Sequence, residues 1–342
     1  MRFIFSLEEL AGFFDKNGID AYRAKQVFHC IYKKGLLDFN QFRQLPKAVI
    51  SLLNKNCRIL AGEIVTSRIC EADKTEKFLI KLKDSYLIES ALLSSDDARL
   101  TACISTQVGC AVSCVFCASG MAGFKRNLTK EEIISQFLLM RHHAQKSDKD
   151  ITNVVFMGIG EPLLNFENLI SAIDLLTSPY AANIGSRRIT VSTSGIIPGI
   201  KKLADYKKQI NLSVSLHSAF DDKRNTLVPV NKKYNIKALM DAVKDYISKT
   251  RRHVTFEYVL ISGLNDSSED ADALSGILKG ISCKVNLIPY NRIEGADFKT
   301  SASRDVKKFA DRLLKNKINA VRRRRKGFDI NSGCGQLKAV WK

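Results

Sequence analysis

The chain has 342 residues, enough to bury a full hydrophobic core, and its 45% hydrophobic and 26% charged residues are those of a globular protein, not a disordered or fibrous one. No apolar run approaches about 20 residues, which excludes a membrane-spanning helix, and Glu8 and Glu9 break the N-terminal apolar stretch as a secretory signal would not. The formal charge of +19 points to a polyanionic partner, while nine Cys, an odd number with three clustered, exclude a disulfide framework and suit a reducing compartment, read as the cytoplasm.

Residues 1–58 carry helical periodicity: Leu7, Leu10, Phe13 and Phe14, then an amphipathic run over 21–32, then a third over 46–53. The small basic module they form is expected either to dock RNA or simply to pack on the core. Residues 59–95 change period. Strands are expected over 77–83 and 86–93, joined by a turn at Asp84 and Ser85, which makes this stretch a short β extension or linker. Over 96–342 strands and helices alternate. Strands are expected at 100–106, 153–157, 188–193, 210–217, 253–261 and 283–289, and helices after Thr129 and near 166–177, 235–249, 267–280 and 302–316. Thr129 and Glu132 form a capping-box pattern. Repeated βα units imply a parallel sheet with right-handed crossovers. Chemistry then belongs at the C-terminal strand ends. A run of arginines, Arg322 to Arg325 followed by Lys326, is placed on a last strand.

The stretch Cys110-Ala-Val-Ser-Cys114-Val-Phe-Cys117 follows the first strand of that series. Three thiolates on a short loop suit a zinc ion with a fourth ligand from elsewhere, or three corners of an iron–sulfur cube with one iron left open. The turn around Gly160 and Glu161 ends a buried strand, and glycine there lets backbone approach a ligand. Ser192, Ser215, Leu216 and His217 end the next two strands, and Asn291 follows the sixth. Cys103 lies seven residues before the triple. Cys334 sits between Gly333 and Gly335, a setting that leaves its thiol free to reach out. Cys30, Cys57, Cys70 and Cys283 read as small buried hydrophobes.

The CxxxCxxC spacing resembles that of radical S-adenosylmethionine (SAM) enzymes. With Tyr22-Arg-Ala-Lys-Gln26, Gln107-Val-Gly-Cys110, Gly123-Phe-Lys-Arg-Asn-Leu-Thr129, Met157-Gly-Ile-Gly-Glu-Pro-Leu-Leu-Asn165 and Cys334-Gly-Gln-Leu337, the similarity runs along nearly the whole chain to the RlmN/Cfr family. The resemblance implies an α/β fold: a partial (βα)6 radical SAM barrel with a small N-terminal helical domain and a short β extension. It implies a [4Fe-4S] cluster on Cys110, Cys114 and Cys117, and SAM bound by Gly160, Glu161, Ser192, Ser215, Leu216, His217 and Asn291. Cys334 maps onto the family's methyl-carrying cysteine, Cys103 onto its resolving cysteine and Glu89 onto its proton acceptor.

The activity implied is methylation of adenine C2 in 23S rRNA and in tRNA, with two SAM per turnover. Adenine C2 is an electron-poor carbon bearing hydrogen and cannot attack a methyl group itself. The family route first methylates Cys334. A 5′-deoxyadenosyl radical then takes hydrogen from that methyl group, and the carbon radical adds to the base. Cys103 finally releases the RNA by forming a disulfide with Cys334. The partners implied are 23S rRNA, tRNA and an electron donor such as flavodoxin or ferredoxin, with no membrane; a monomer suffices. Three alternatives stand beside this one. They are a Cfr-like C8 methyltransferase, a non-catalytic zinc-knuckle RNA-binding protein, and a glycyl-radical activase, which would use neither Cys334 nor the high charge.

Overall fold

The computed structural model describes residues 2–4 and 6–338. A ten-stranded sheet forms its frame, with the strands in sequential order. Strands β1 (Gly62–Ile69), β2 (Glu76–Leu82) and β3 (Leu87–Ser94) form an antiparallel meander. It joins β4 (Leu100–Cys103) antiparallel. From β4 onward every neighbour is parallel: β5 (Asn153–Phe156), β6 (Ile189–Thr193), β7 (Asn211–Ser215), β8 (Val254–Leu260), β9 (Cys283–Pro289) and β10 (Ala320–Arg322). Parallel strands buried on both faces read as near-continuous apolar runs, as β8 does apart from Thr255 and Glu257.

Three N-terminal helices, α1 (Leu7–Asp15), α2 (Arg23–Phe28) and α3 (Lys47–Asn56), close on Phe14, Phe28, Phe42 and Leu53, all buried. The crossover helices are α4 (Lys130–Gln145), α5 (Phe166–Thr177), α6 (Ile197–Ala204), α7 (Ile236–Thr250), α8 (Ser268–Leu278) and α9 (Ser303–Lys315). Both capping-box bonds between Thr129 and Glu132 are present at α4, a device that contributes about 1 kcal/mol. Helix α4 is buried on nearly all sides because it lies between the sheet and the N-terminal helices. Its Ser135 hydroxyl accepts from the Ala61 N–H at 2.8 Å, and Arg141 donates to the Tyr32 carbonyl. No helix among the described residues is long and apolar enough to cross a membrane.

The structure departs from the sequence expectation in four places. Strand β1 carried no clear signal because it is an edge strand, mostly exposed, with a bulge between Ile64 and Thr66 that breaks its alternation. Helix α6 contains Pro198 and Gly199, which look like breakers. Proline is tolerated in a first turn, and a side chain at Gly199 would meet Leu163. The last strand, β10, ends at Arg322, so the other arginines lie in the loop beyond it. Finally, the cysteine loop springs from a two-stranded ribbon, Gln107–Gly109 with Phe124–Asn127, too short to announce itself.

Candidate active site

The ribbon holds the cysteine loop at both ends. Cys110 N–H donates to the Gly123 carbonyl at 2.9 Å. Gly109 has φ +74°, and any side chain there would run into Gly123. A side chain at Gly120 would strike the Cys114 backbone, so the turn after Cys117 must pack against the loop without one. The three thiols line a cavity of about 160 Å³ at the C-terminal ends of the parallel strands, together with Gly160, Glu161, Ser192, Ser215, His217, Glu257, Asn291 and Cys334. Burial pushes the Cys110 thiol up to about 12, and raises Cys114 well above its ordinary value, with the neighbouring cysteines adding to both. A bound metal reverses this, because ligation requires thiolates and expels their protons. No group of three His, Cys, Asp or Glu side chains among the described residues is already arranged around a metal position. The three thiols line one cavity, and three thiolates there could each take an iron of a cube.

Each wall of the cavity is built by buried polar contacts. Glu161 Oε2 accepts from the Ser194 N–H at 2.7 Å and its hydroxyl at 2.6 Å, and Oε1 accepts from the Leu163 N–H. Burial raises the Glu161 pKa against the pull of those bonds. The Glu161 N–H donates to Gln107 Oε1 at 2.9 Å, which ties the Gly160 turn to the ribbon. Gly160 has φ +103°, and a side chain there would collide with Gln107. His217 has φ +60°, a strained backbone for a bulky residue. Its Nδ1 accepts from the Val259 N–H at 3.0 Å, and burial beside Arg224 pushes its pKa down to about 3. The imidazole is therefore neutral with its proton on Nε2, packed edge-on to Phe116. Leu216 is buried and contributes its carbonyl to Arg224 rather than a side chain to the cavity.

The C-terminal segment covers the mouth. Asn291 Nδ2 donates to the Cys334 carbonyl at 3.1 Å. Gln336 accepts from the Gly333 N–H and donates to the Arg292 carbonyl, and the Ser119 hydroxyl donates to the Leu337 carbonyl. Cys334 presents surface to solvent, yet it stands among protein atoms at the joint of two cavities. That crowding, with Glu257 facing it, raises its thiol above the ordinary value, while Arg323 pulls it down. The second cavity contains Cys103, whose thiol is pushed up to about 12 by burial and by Cys334. Both cysteines are free thiols.

Glu89 lies apart from both cavities. It lines a neighbouring groove on the other side of the C-terminal segment, where Oε1 pairs with Lys77 at 2.9 Å and Oε2 accepts from the Lys338 N–H. Of the remaining cysteines, Cys30, Cys57 and Cys70 are buried as expected and Cys283 is half-buried.

Two residues escaped the sequence reading. Arg224 is fully buried and donates to the carbonyls of Ser194, Ser215 and Leu216 and to Asn231 Oδ1, so one guanidinium ties two strand ends together. Its run, Asp221-Asp-Lys-Arg-Asn225, looks like an ordinary charged surface turn. Glu257 accepts from Ser213 Oγ at 2.8 Å and Asn286 Nδ2 at 2.9 Å inside the barrel. An acidic residue in the middle of the apolar run Val254-Thr-Phe-Glu-Tyr-Val-Leu260 was the available signal.

Comparison with known proteins is consistent along the chain. Residues 104–274 match the model of the radical SAM superfamily, and residues 3–59 match that of the ribosomal RNA large subunit methyltransferase N-terminal domain. A relative from Clostridium perfringens (strain SM101 / Type A), named "Probable dual-specificity RNA methyltransferase RlmN", is 42% identical over 335 residues, 98% of this chain and 95% of its own. One of the same name from Clostridium botulinum (strain Okra / Type B1) is 45% identical over 98% of this chain and 96% of its own. The crystal structure of a radical SAM methyltransferase from Sphaerobacter thermophilus superimposes with a TM-score of 0.96 at 39% identity, covering 98% of this chain and 99% of that one.

Proposed function

The chain belongs to the RlmN family of radical SAM RNA methyltransferases, and from that premise we propose that it methylates adenine C2 in 23S rRNA, at the peptidyl-transferase centre, and in tRNA, 3′ of the anticodon. The observation that carries this reading is the position of Cys334, which lines both the cavity of the three cluster thiols and the cavity holding Cys103. A methyl carrier must meet SAM and the RNA on one side and a resolving thiol on the other.

Cys110, Cys114 and Cys117 would hold the [4Fe-4S] cluster. Gly160, Glu161, Ser192, Ser215, His217 and Asn291 would surround SAM, with Leu216 behind them holding Arg224. When bound, cluster and SAM supply the one-electron cleavage that removes hydrogen from a methyl group. The chain supplies the rest. The Cys334 thiolate takes a methyl group from one SAM, and its proton leaves toward solvent. The methyl carbon, activated at the expense of a second SAM, bonds to the base, joining RNA and Cys334. Glu89 or Cys103 accepts the C2 proton; for Glu89 to do so, the segment at Lys338 must move. The radical adduct gives up one electron, which the cluster would take back. Cys103 then attacks the Cys334 sulfur, forming the S–S bond as the S–C bond breaks; the carbon keeps that electron pair and takes up a proton to become the methyl group on the RNA. An external reductant returns two electrons to the disulfide.

In this reading residues 1–58 dock RNA, residues 59–95 extend the sheet and residues 96–342 carry the chemistry. The enzyme works as a cytoplasmic monomer, and a flavodoxin or ferredoxin reduces the cluster. The test is product identity. Anaerobically reconstituted protein with SAM, a reductant and unmodified 23S rRNA or tRNA should yield 2-methyladenosine on digestion. Mainly 8-methyladenosine would move the protein to C8 chemistry. Absence of any methylated base despite SAM cleavage would leave the acceptor wrong.

A further inference from the structure

Beside the mouth lies a basin of about 1120 Å³, above the roughly 300–1,000 Å³ of ordinary small-molecule pockets. Five arginines line it, Arg292, Arg322, Arg323, Arg324 and Arg325, and no carboxylate does. Two of the five anchor the fold. Arg325 donates to the Tyr290 carbonyl, and Arg322 to the Ser303 hydroxyl. Arg324 meets Asp96 at 3.0 Å, but both side chains are more than four-fifths exposed, so salt screens the pair. Neither the Arg323 nor the Arg292 guanidinium has a hydrogen-bond or ion-pair partner among the described residues. Arg323 also lines the cluster cavity and the Cys103 cavity, so it stands where all three spaces meet. Phe328, 59% exposed, lines the same basin.

We infer that this basin is the seat of the RNA backbone flanking the target adenosine, with Arg292, Arg323 and Arg324 on its phosphates and Phe328 stacked on an adjacent unpaired base. The inference rests on the methyltransferase reading and deepens it. A base that reacts at Cys334 must be unstacked and swung inward. Its own phosphates then lie just outside the mouth, where the unpartnered arginines are. Arginines around an exposed aromatic ring suit single-stranded nucleic acid, with charge on the backbone and a ring for a base. An acidic protein such as an electron donor would match the charge, but would not require a basin that shares Asn291 and Arg323 with the two cavities holding Cys334.

The test is binding of an unmodified tRNA transcript, measured by anisotropy across a salt titration, for Arg323→Gln, Arg292→Gln/Arg324→Gln and Phe328→Ala, each checked for a native melting transition. Lys237→Gln, on an exposed residue of α7, controls for net charge alone. The double variant should bind roughly tenfold more weakly at 0.1 M salt, with its salt slope reduced by about 0.7 for each phosphate no longer neutralised. Phe328→Ala should weaken binding with the slope unchanged, and Phe328→Trp should restore it. Affinity and slope equal to those of the Lys237→Gln control would overturn the inference. So would a defect confined to cluster reduction by an acidic flavoprotein, which would assign the basin to a protein partner. Failure of the methyltransferase reading shows separately, as wild-type protein that binds this RNA through these arginines and forms no methyladenosine.

Discussion

The Ala118 N–H donates to the Gly335 carbonyl at 2.8 Å. Ala118 follows Cys117 and Gly335 follows Cys334, so one hydrogen bond registers the Cys334 loop against the loop of Cys110, Cys114 and Cys117. The bond joins segments more than two hundred residues apart, and the Asn291 bond to the Cys334 carbonyl fixes the same loop from the barrel side. The reach of Cys334 is thus set by backbone geometry rather than left to a free tail.

Cys334→Ala should retain the cluster and lose methyl uptake. Intact mass after incubation with SAM should show one added methyl group on the wild-type protein and none on the variant. A methylated Cys334→Ala protein would put the carrier elsewhere.

Methylation of Cys334 should accelerate with pH. Its thiol is raised above the ordinary value of 9.0 by burial and Glu257, so the thiolate fraction should grow roughly tenfold per pH unit through neutrality with no plateau below 9. Stability should move the opposite way. Cys103 titrates at about 12 in the folded chain against 9.0 unfolded, so its contribution is complete below pH 9 and lost as pH rises toward 12. A rate that levels off near neutral pH in single-turnover quench assays would show an activated thiolate instead.

Arg224→Met should destabilise the protein by about 2 kcal/mol or more in urea unfolding, because it strips the guanidinium from the carbonyls of Ser194 and Ser215 at about 1–3 kcal/mol for each buried group left unpaired, while the Leu216 carbonyl keeps its bond from the Ser218 N–H. Arg224→Lys should recover only part of that, since one ammonium cannot reproduce a fork aimed at two strand ends. Stability equal to wild type in either variant would mean that the strand ends hold themselves.

Glu89→Gln should leave methyl uptake by Cys334 intact and slow release of methylated RNA by about a hundredfold or more, the usual scale for losing a general base. A rate unchanged in rapid-quench assays would transfer the proton-accepting role to Cys103.

Much of the fold and site was legible in the residues. The cysteine spacing, the glycines around Glu161 and Cys334, and the alternation of apolar strands with capped helices each carry a local pattern that survives without coordinates. Arg224 was not legible, because its importance comes from three carbonyls that only the closed barrel brings together. Strand β1 was hidden by its exposure and its bulge. For Glu89, the motif named the residue, but its Lys77 pair and its place across the C-terminal segment depend on tertiary packing.

The two-thiol route is tested most directly by Cys103→Ala. Turned over anaerobically with SAM, reductant and unmodified RNA, it should accumulate a covalent protein–RNA conjugate that survives denaturing electrophoresis, with the link mapped to Cys334 by mass spectrometry. Free methylated RNA from that variant, or free unmodified RNA with no conjugate, would contradict the two-thiol route.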